Sequence, residues 1–355
     1  MSNLIDEDIS TIQAKYEAQK IAFAPIMFQA ARVLRDSGIL NLVKKNRRKG
    51  ITPEEVANDL GISIYGVKVL MEAGMAMDIL RLEGGRYYIT KCGFFILNDR
   101  MTQVNMDFVH DVCYRGMFNL EEAIQTGKPA GLRELGPWKT IYQGLSSLPE
   151  KVQKSWFDFD HYHSDYAFPD ALPLVFKRNH KKLMDIGGNT GRWAFQCVEY
   201  SPEVAVAILD LPGQLDMAEK NIRENGLEKR ISTIAIDILD QSRSFPEGYD
   251  AIWMSQFLDC FSEDEIVSIL KRAYAAMDNS SVLYILETYW DRQSYEAARY
   301  CLIGTSLYFT CMANGNSKMY HSKDMLRCLR EADLVVEEDI DGVGISHTLF
   351  ACRKR

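Results

Sequence analysis

Leu183-Met184-Asp185-Ile186-Gly187-Gly188-Asn189-Thr190-Gly191 decides how this chain is read. A short apolar run ends in an acid and breaks into a glycine-rich bend, the pattern of a buried strand entering a turn where backbone approaches a ligand. Two more acids follow at strand-end positions, Asp210 and Asp237. Around them strand and helix patterns alternate, which predicts an α/β fold with a parallel sheet and crossover helices. Strands are expected at 182–186, 204–209, 232–236, 251–255 and 282–286, with helices such as 214–225 between them. Ser262-Glu263-Asp264-Glu265 forms a capping box, and Ile266, Ile269, Leu270, Ala273 and Met277 then line one helix face. Two last strands, 334–338 and 347–352, are joined through Asp341-Gly342-Val343-Gly344, a link suited to antiparallel pairing at the sheet edge.

In an open sheet of this kind, ligands sit at the carboxyl ends of the strands. Asp185, Asp210 and Asp237 all fall there. Asp210 is placed to accept ribose hydroxyls of a nucleoside. Asp237 is placed to accept from an adenine amino group while Ile238 packs on the ring. A dinucleotide would need Gly-x-Gly-x-x-Gly so that a pyrophosphate reaches a helix N-terminus. Here Gly187, Gly188 and Gly191 are followed by Arg192 and Trp193, and Trp193 reads as an obstacle to that approach. Asp185 would also repel a diphosphate, whereas it suits a cationic ligand.

The 355 residues leave room for two domains. At 47% hydrophobic and 25% charged, the composition is that of an ordinary globular protein. A net charge of −8 argues against nucleic acid as the main partner, since phosphate binding needs surplus Lys and Arg. The eight cysteines are scattered with no Cys-x-x-Cys, as in a reduced, cytoplasmic protein, and no metal site is expected. The opening residues lack both a basic and an apolar leader segment. No apolar run approaches the ~20 residues that span a bilayer.

The N-terminal third, 1–104, reads as a winged helix. Residues 11–43 are helical in pattern, and Thr52-Pro53-Glu54-Glu55 combines a capping box with Pro at the first helical position. Gly61 ends that helix, Ser63 opens the next, and Gly84-Gly85 turns a hairpin. The second helix carries Lys68 against Glu72 and Asp78, with Val67, Val69, Leu70, Met71, Met75 and Met77. Such a helix buries itself rather than reading base edges. Dimerisation is the expected role, despite the basic run Lys44-Lys45-Asn46-Arg47-Arg48-Lys49. Residues 105–175 read as a helical connector contributing to a substrate pocket, ahead of a ligand-binding domain over 176–355. Within it, 156–166 is chemically dense, but His161 and His163 at i,i+2 suit one metal ion poorly.

Together these features resemble the small-molecule O-methyltransferases typified by the plant caffeate and flavonoid enzymes, with bacterial relatives. Asp185-Ile186-Gly187-Gly188-Asn189-Thr190-Gly191 is similar to that family's Asp-Val-Gly-Gly-Gly-Thr-Gly, with Asn189 at the middle Gly. Asp210-Leu211-Pro212 and Asp237-Ile238 resemble its ribose and adenine motifs, and Thr126-Gly127-Lys128-Pro129-Ala130 resembles a recurring turn. The resemblance implies a class I methyltransferase fold, Rossmann-like with a seven-stranded sheet, behind a winged-helix dimerisation domain. It implies S-adenosyl-L-methionine as cofactor, held by Asp185, Gly187, Gly188, Gly191, Asp210, Leu211, Asp237, Ile238 and Ser255. A homodimer acting on a small aromatic or conjugated molecule is implied as well.

At the catalytic positions the chain departs from the family. Aligned on the family's Leu-His-Asp-Trp-Ser-Asp-Glu, Leu258-Asp259-Cys260-Phe261-Ser262-Glu263-Asp264 puts Asp259 where the His base belongs. Ser255 replaces a Lys, Glu287 retains one of two glutamates, and Met319 replaces the other. Asp259 is therefore expected to orient a substrate hydroxyl or to accept its proton weakly, with Glu287 beside it and His321 as an alternative base. The missing His favours C-methylation as the runner-up. Two further readings are a ligand-sensing winged-helix regulator whose methyltransferase domain is not catalytic, and a member repurposed for non-methyl chemistry.

Overall fold

The computed structural model describes residues 9–355, and the chain divides into two compact units after Met106. Residues 107–175, expected as a separate connector, fold with the second unit.

The first unit contains α1 (Thr11–Asp36), α2 (Ile39–Lys45), α3 (Pro53–Leu60), α4 (Ile64–Ala76), β1 (Leu80–Glu83), β2 (Arg86–Ile89) and α5 (Lys91–Asn98), and α6 (Arg100–Phe108) runs across the division. The helix expected over 11–43 is broken at Ser37-Gly38. Both sides of the Thr52/Glu55 capping box form, at 3.2 and 2.8 Å. The β1–β2 hairpin is antiparallel, and Ile51 bridges Tyr87 as a third short strand of the wing. Helix α4 buries only Val67, Met71 and Gly74. Its other side exposes Ile64, Tyr65, Val69 and Met75, so the expectation that this helix buries itself holds for one face. Lys68 is paired with Glu54 at 2.9 Å.

The second unit continues with α7 (Leu120–Thr126), α8 (Ile141–Gly144), α9 (Glu150–Asp165), α10 (Phe168–Phe176), β3 (Lys182–Ile186), α11 (Arg192–Tyr200), β4 (Ala205–Asp210), α12 (Pro212–Glu224), β5 (Ile231–Ala235) and β6 (Ala251–Ser255). It ends with α13 (Glu263–Ala276), β7 (Val282–Glu287), α14 (Glu296–Tyr308), α15 (Ser322–Glu331), β8 (Leu334–Val343) and β9 (His347–Lys354). Seven strands form one sheet in the order β5-β4-β3-β6-β7-β9-β8. The first five are parallel, and β9 inserts antiparallel between β7 and β8. Order reverses between β3-β4 and β3-β6, which places a crevice at the carboxyl end of β3. Apolar clusters cover both faces, and every residue of β7 is buried, as a central parallel strand requires. Strand β8 runs further than expected. Asp341, Gly342 and Val343 of the predicted link lie inside it, with a register shift between Asp341 and Val343 and Gly342 at φ +75°. The reversal itself falls at 344–346.

Candidate functional site at the carboxyl edge of the sheet

The bend after β3 is shaped by its backbone. Gly187 has φ +77°, and a Cβ there would run into the Phe257 ring. A Cβ on Gly188 would lie 2.5 Å from the Asp185 carboxylate. Asn189 also takes the left-handed conformation, φ +48°, which Asn tolerates better than most side chains. Its N–H donates to Asp210 Oδ2 at 2.8 Å, while the Leu211 N–H donates to Oδ1 at 2.7 Å. The bend is thereby tied to the end of β4.

Asp185 is 2% exposed and its Oδ2 has no hydrogen-bond partner. Burial, with the Asp210 charge adding to it, pushes its carboxyl up to about 8. Burial also raises Asp210, to about 6, against the pull of its two N–H donors. An orphaned buried carboxylate in a side-chain-free cradle fits a cationic ligand group. The amino-acid end of S-adenosylmethionine is such a group, and the residues present fit that cofactor. Trp193 does not block the bend. It turns into the core and stacks on Trp253 at 4.0 Å, so the case against a diphosphate rests on Asp185 alone.

At the end of β5, Asp237 Oδ1 accepts the Leu239 N–H at 2.9 Å. Ile238 packs into the core beneath, and the apolar side chain presented to solvent here is Leu239, 45% exposed. The Ser255 hydroxyl, ending β6, is buried without a partner. A groove of about 680 Å³ opens beside the bend, lined in part by Thr190, Arg192, His161 and Asp165. None of the predicted cofactor or catalytic residues lines it.

The loop after β6 carries the catalytic candidates. Glu287, 1% exposed at the end of β7, accepts the Phe257 and Leu258 N–H groups through Oε1 at 3.0 and 2.9 Å. This clamp fixes the turn that holds Asp259, which is 7% exposed. Burial pushes Asp259 up to about 6, opposed by a weak bond from the Cys260 thiol at 3.5 Å. Glu287 is raised well above the usual carboxylate range, by burial first and by Asp259 second. Its Oε2 is buried without a partner, and so is the Tyr142 hydroxyl. His321 stands apart from this group. It caps α15, accepts the Lys323 N–H at 3.1 Å and faces Asp291 Oδ2 at 3.2 Å and the Trp290 ring. No contact among the described residues joins it to Asp259 or Glu287.

Sequence reasoning missed Asp160 and Tyr142. Asp160 on α9 is pushed up to about 7 by burial and by its neighbours Asp165 and Asp259. The density of acids and rings over 156–166 was its only signal.

Sheet order, bend and strand-end acids define an S-adenosylmethionine-dependent methyltransferase of class I. Residues 151–329, 179 of 355, match the O-methyltransferase domain, and the chain belongs to that family. Residues 15–87 match the Dimerisation2-like domain. Among its relatives, the L-tyrosine C(3)-methyltransferase of Streptomyces lavendulae is 24% identical, covering 76% of this chain and 73% of that protein. The bacteriochlorophyllide d C-20 methyltransferase of Chlorobaculum tepidum is also 24% identical, covering 81% and 83%. The apo S-adenosylmethionine-dependent methyltransferase SibL has a similar fold, with a TM-score of 0.72 at 23% identity over 95% of this chain and 98% of that one. The O-methyltransferase NcsB1, solved with S-adenosylmethionine and 2-hydroxy-5-methyl naphthoic acid, aligns at a TM-score of 0.66 and 18% identity, covering 94% and 96%. No described helix is long and apolar enough to cross a membrane.

Proposed function

We propose that this protein moves a methyl group from S-adenosylmethionine to the oxygen of a small aromatic or conjugated metabolite, with Asp259 in place of the histidine base. The observation that carries the reading is the shared edge. Asp185 and Asp210 flank the bend after β3, and Asp259 is held on the loop after the adjacent strand β6. Asp185 takes the cofactor's ammonium, Asp210 its ribose, and Asp237 with Leu239 and Ser255 the adenine side; Gly187, Gly188 and Gly191 let backbone come close.

The cofactor supplies an activated methyl, so most of the rate comes from holding acceptor and methyl in near-attack geometry. Asp259, near 6, is a better base than an ordinary carboxylate. A phenol near pH 10 still lies about 5 kcal/mol uphill of it, so acidic phenols and enols suit it best. C-methylation is the second reading, favoured by this weak base and by a relative named an L-tyrosine C(3)-methyltransferase. The protein works as a homodimer through its N-terminal unit, on a small molecule rather than on nucleic acid, in the cytoplasm.

Calorimetric titration with S-adenosylhomocysteine tests the reading, with Asp210→Ala as control. Micromolar binding that is lost in the variant supports it; no binding by the native protein sinks it. Product NMR then separates an O-methyl from a C-methyl, and unretarded DNA at physiological salt separates the enzyme from a regulator.

A further inference from the structure

Gln256 sits in a backbone conformation that its side chain does not favour. Among the described residues, five other than glycine take a left-handed φ, and four of these are Asn or Asp. Gln256, at φ +45°, is the fifth. The short Asn and Asp side chains tolerate this region by bonding locally, which Gln does not do. Such strain persists only where the surroundings fix it, and it gathers at functional sites. Here the surroundings are the ends of two neighbouring strands. The Gln256 N–H donates to the Leu286 carbonyl of β7 at 2.9 Å. Its side-chain amide nitrogen donates to His347 Nε2, on β9, at 2.7 Å. Glu287 of β7 pairs with Thr348, so this second bond spans the end of β7.

His347 is itself firmly placed. It is 2% exposed at the start of β9, directly after the turn that leaves β8. That turn is anchored twice: the Gly344 N–H donates to Asp170 Oδ2 at 3.1 Å, and Gln293 Nε2 donates to the Ser346 carbonyl at 3.0 Å. A Cβ on Gly344 would lie 2.7 Å from the Ala167 backbone, so the turn rests directly on the residue before α10. Burial first and His163 second push the His347 pKa down to about 4, so the ring is neutral at physiological pH. An amide nitrogen can only donate, so Nε2 is the acceptor and the single ring proton sits on Nδ1. What this bond controls lies one residue further on. The Phe257 ring rests against Gly187, so close that a Cβ there would stand 2.2 Å from Cδ2. The Phe257 and Leu258 N–H groups go to Glu287 Oε1, and Asp259 follows. The loop after β6 therefore touches the cofactor bend through one side chain and carries Asp259 two residues later.

We propose that His347 is a positioning residue for the methyl-transfer site: through Gln256 it holds the loop after β6 in the strained turn that seats Phe257 on the Gly187 bend. This rests on the methyltransferase reading and adds a residue from β9, outside every motif that marks the cofactor edge. Glu287 holds the loop from β7 and His347 from β9, so two strands fix one turn. Without the His347 bond, Gln256 relaxes toward an ordinary φ, the Phe257 ring shifts from Gly187, and the bend loses the shape that admits the cofactor.

The test is calorimetric titration of S-adenosylhomocysteine into the intact chain and its variants. His347→Ala is expected to weaken binding by at least about fivefold. His347→Gln, whose carbonyl can accept in place of Nε2, should bring the loss back to about twofold or less. Gln256→Met removes the donor, leaves β9 untouched and should lose as much as His347→Ala. Gln256→Gly takes the turn without strain and should bind more tightly than Gln256→Met. In the Gln256→Gly background, adding His347→Ala should cost less than about twofold, because the bond it removes is already gone. A histidine that only packs β9 loses the same factor in both backgrounds and is not rescued by Gln; either result overturns the positioning role. So does native affinity in both His347→Ala and Gln256→Met, or Gln256→Met binding as tightly as Gln256→Gly. Failure of the native protein to bind S-adenosylhomocysteine overturns the methyltransferase reading, and the role assigned to His347 falls with it.

Discussion

Asn189 stands where the resembling family has glycine, in a backbone conformation that side chains other than Asn and Asp seldom adopt, so the departure costs the bend little. Asp185 is the more consequential residue. With its carboxyl near 8, it is mostly protonated at neutral pH in the cofactor-free protein, and a cationic ligand must first displace that proton. Affinity for S-adenosylhomocysteine should therefore rise with pH up to about 8 and then level off, while Asp185→Asn should lose at least about tenfold and flatten the profile. Calorimetry across pH 6–9 checks both (an affinity that falls with pH contradicts the assignment). Asp185 and Asp210 were legible because bend and strand-end acids lie within thirty residues of each other. Tyr142 was not, since it reaches the region from a remote helix with no local pattern, and Asp160 was marked only by the density of acids and rings around it. His321 shows the opposite error: proximity to a lost glutamate suggested a base, but its position at the start of α15 makes it a cap.

Among the elements, the loop after β6 depends most on one side chain. Glu287 satisfies two backbone N–H groups with one oxygen, in a site whose burial raises its pKa well above the ordinary value. Gln presents a carbonyl of the same shape to both donors, whereas Ala strands them in a buried site. Glu287→Ala should cost about 2–4 kcal/mol and Glu287→Gln less than half of that, read from urea midpoints. Loss of equal size in both would show that the clamp is not what matters. The capping box Ser262/Glu265 is a milder case, where Ser262→Ala should cost about 1 kcal/mol. Caps, the Gly84-Gly85 hairpin and the five parallel strands were readable to within a residue or so, because caps and alternation are local signals. The length of β8 was not. A glycine bulge inside a strand carries the same residues as a turn, and only pairing with β9 tells them apart.

At the scale of the molecule, the long helix α1 exposes Ile21, Phe23 and Ile26, more apolar surface than a solitary helix in water sustains, within the segment matched to a dimerisation domain. Paired Ile21→Asp and Ile26→Asp changes should give a monomer in sedimentation, and an unchanged dimer would place the interface elsewhere. The second unit carries a further cost in its site. Asp185, Asp160, Asp210 and Asp259 all have folded-state values above the unfolded one, so the folded protein holds more protons than the unfolded chain, and stability falls as pH rises toward about 8. Buried His163 and His347, lowered to about 4, act with the opposite sign, but only below the unfolded histidine value near 6.5. Between about pH 6.5 and 8 the acids are unopposed. The cofactor-free protein should therefore melt at lower temperature as pH is raised through that window. S-adenosylhomocysteine, if it binds the ionised Asp185 as proposed, should raise the melting temperature more at pH 8 than at 6.5. Scanning calorimetry at both pH values, with and without ligand, decides it. A flat profile would mean that water or a counter-ion already satisfies these carboxyls, and the strain assigned to the site would then not exist.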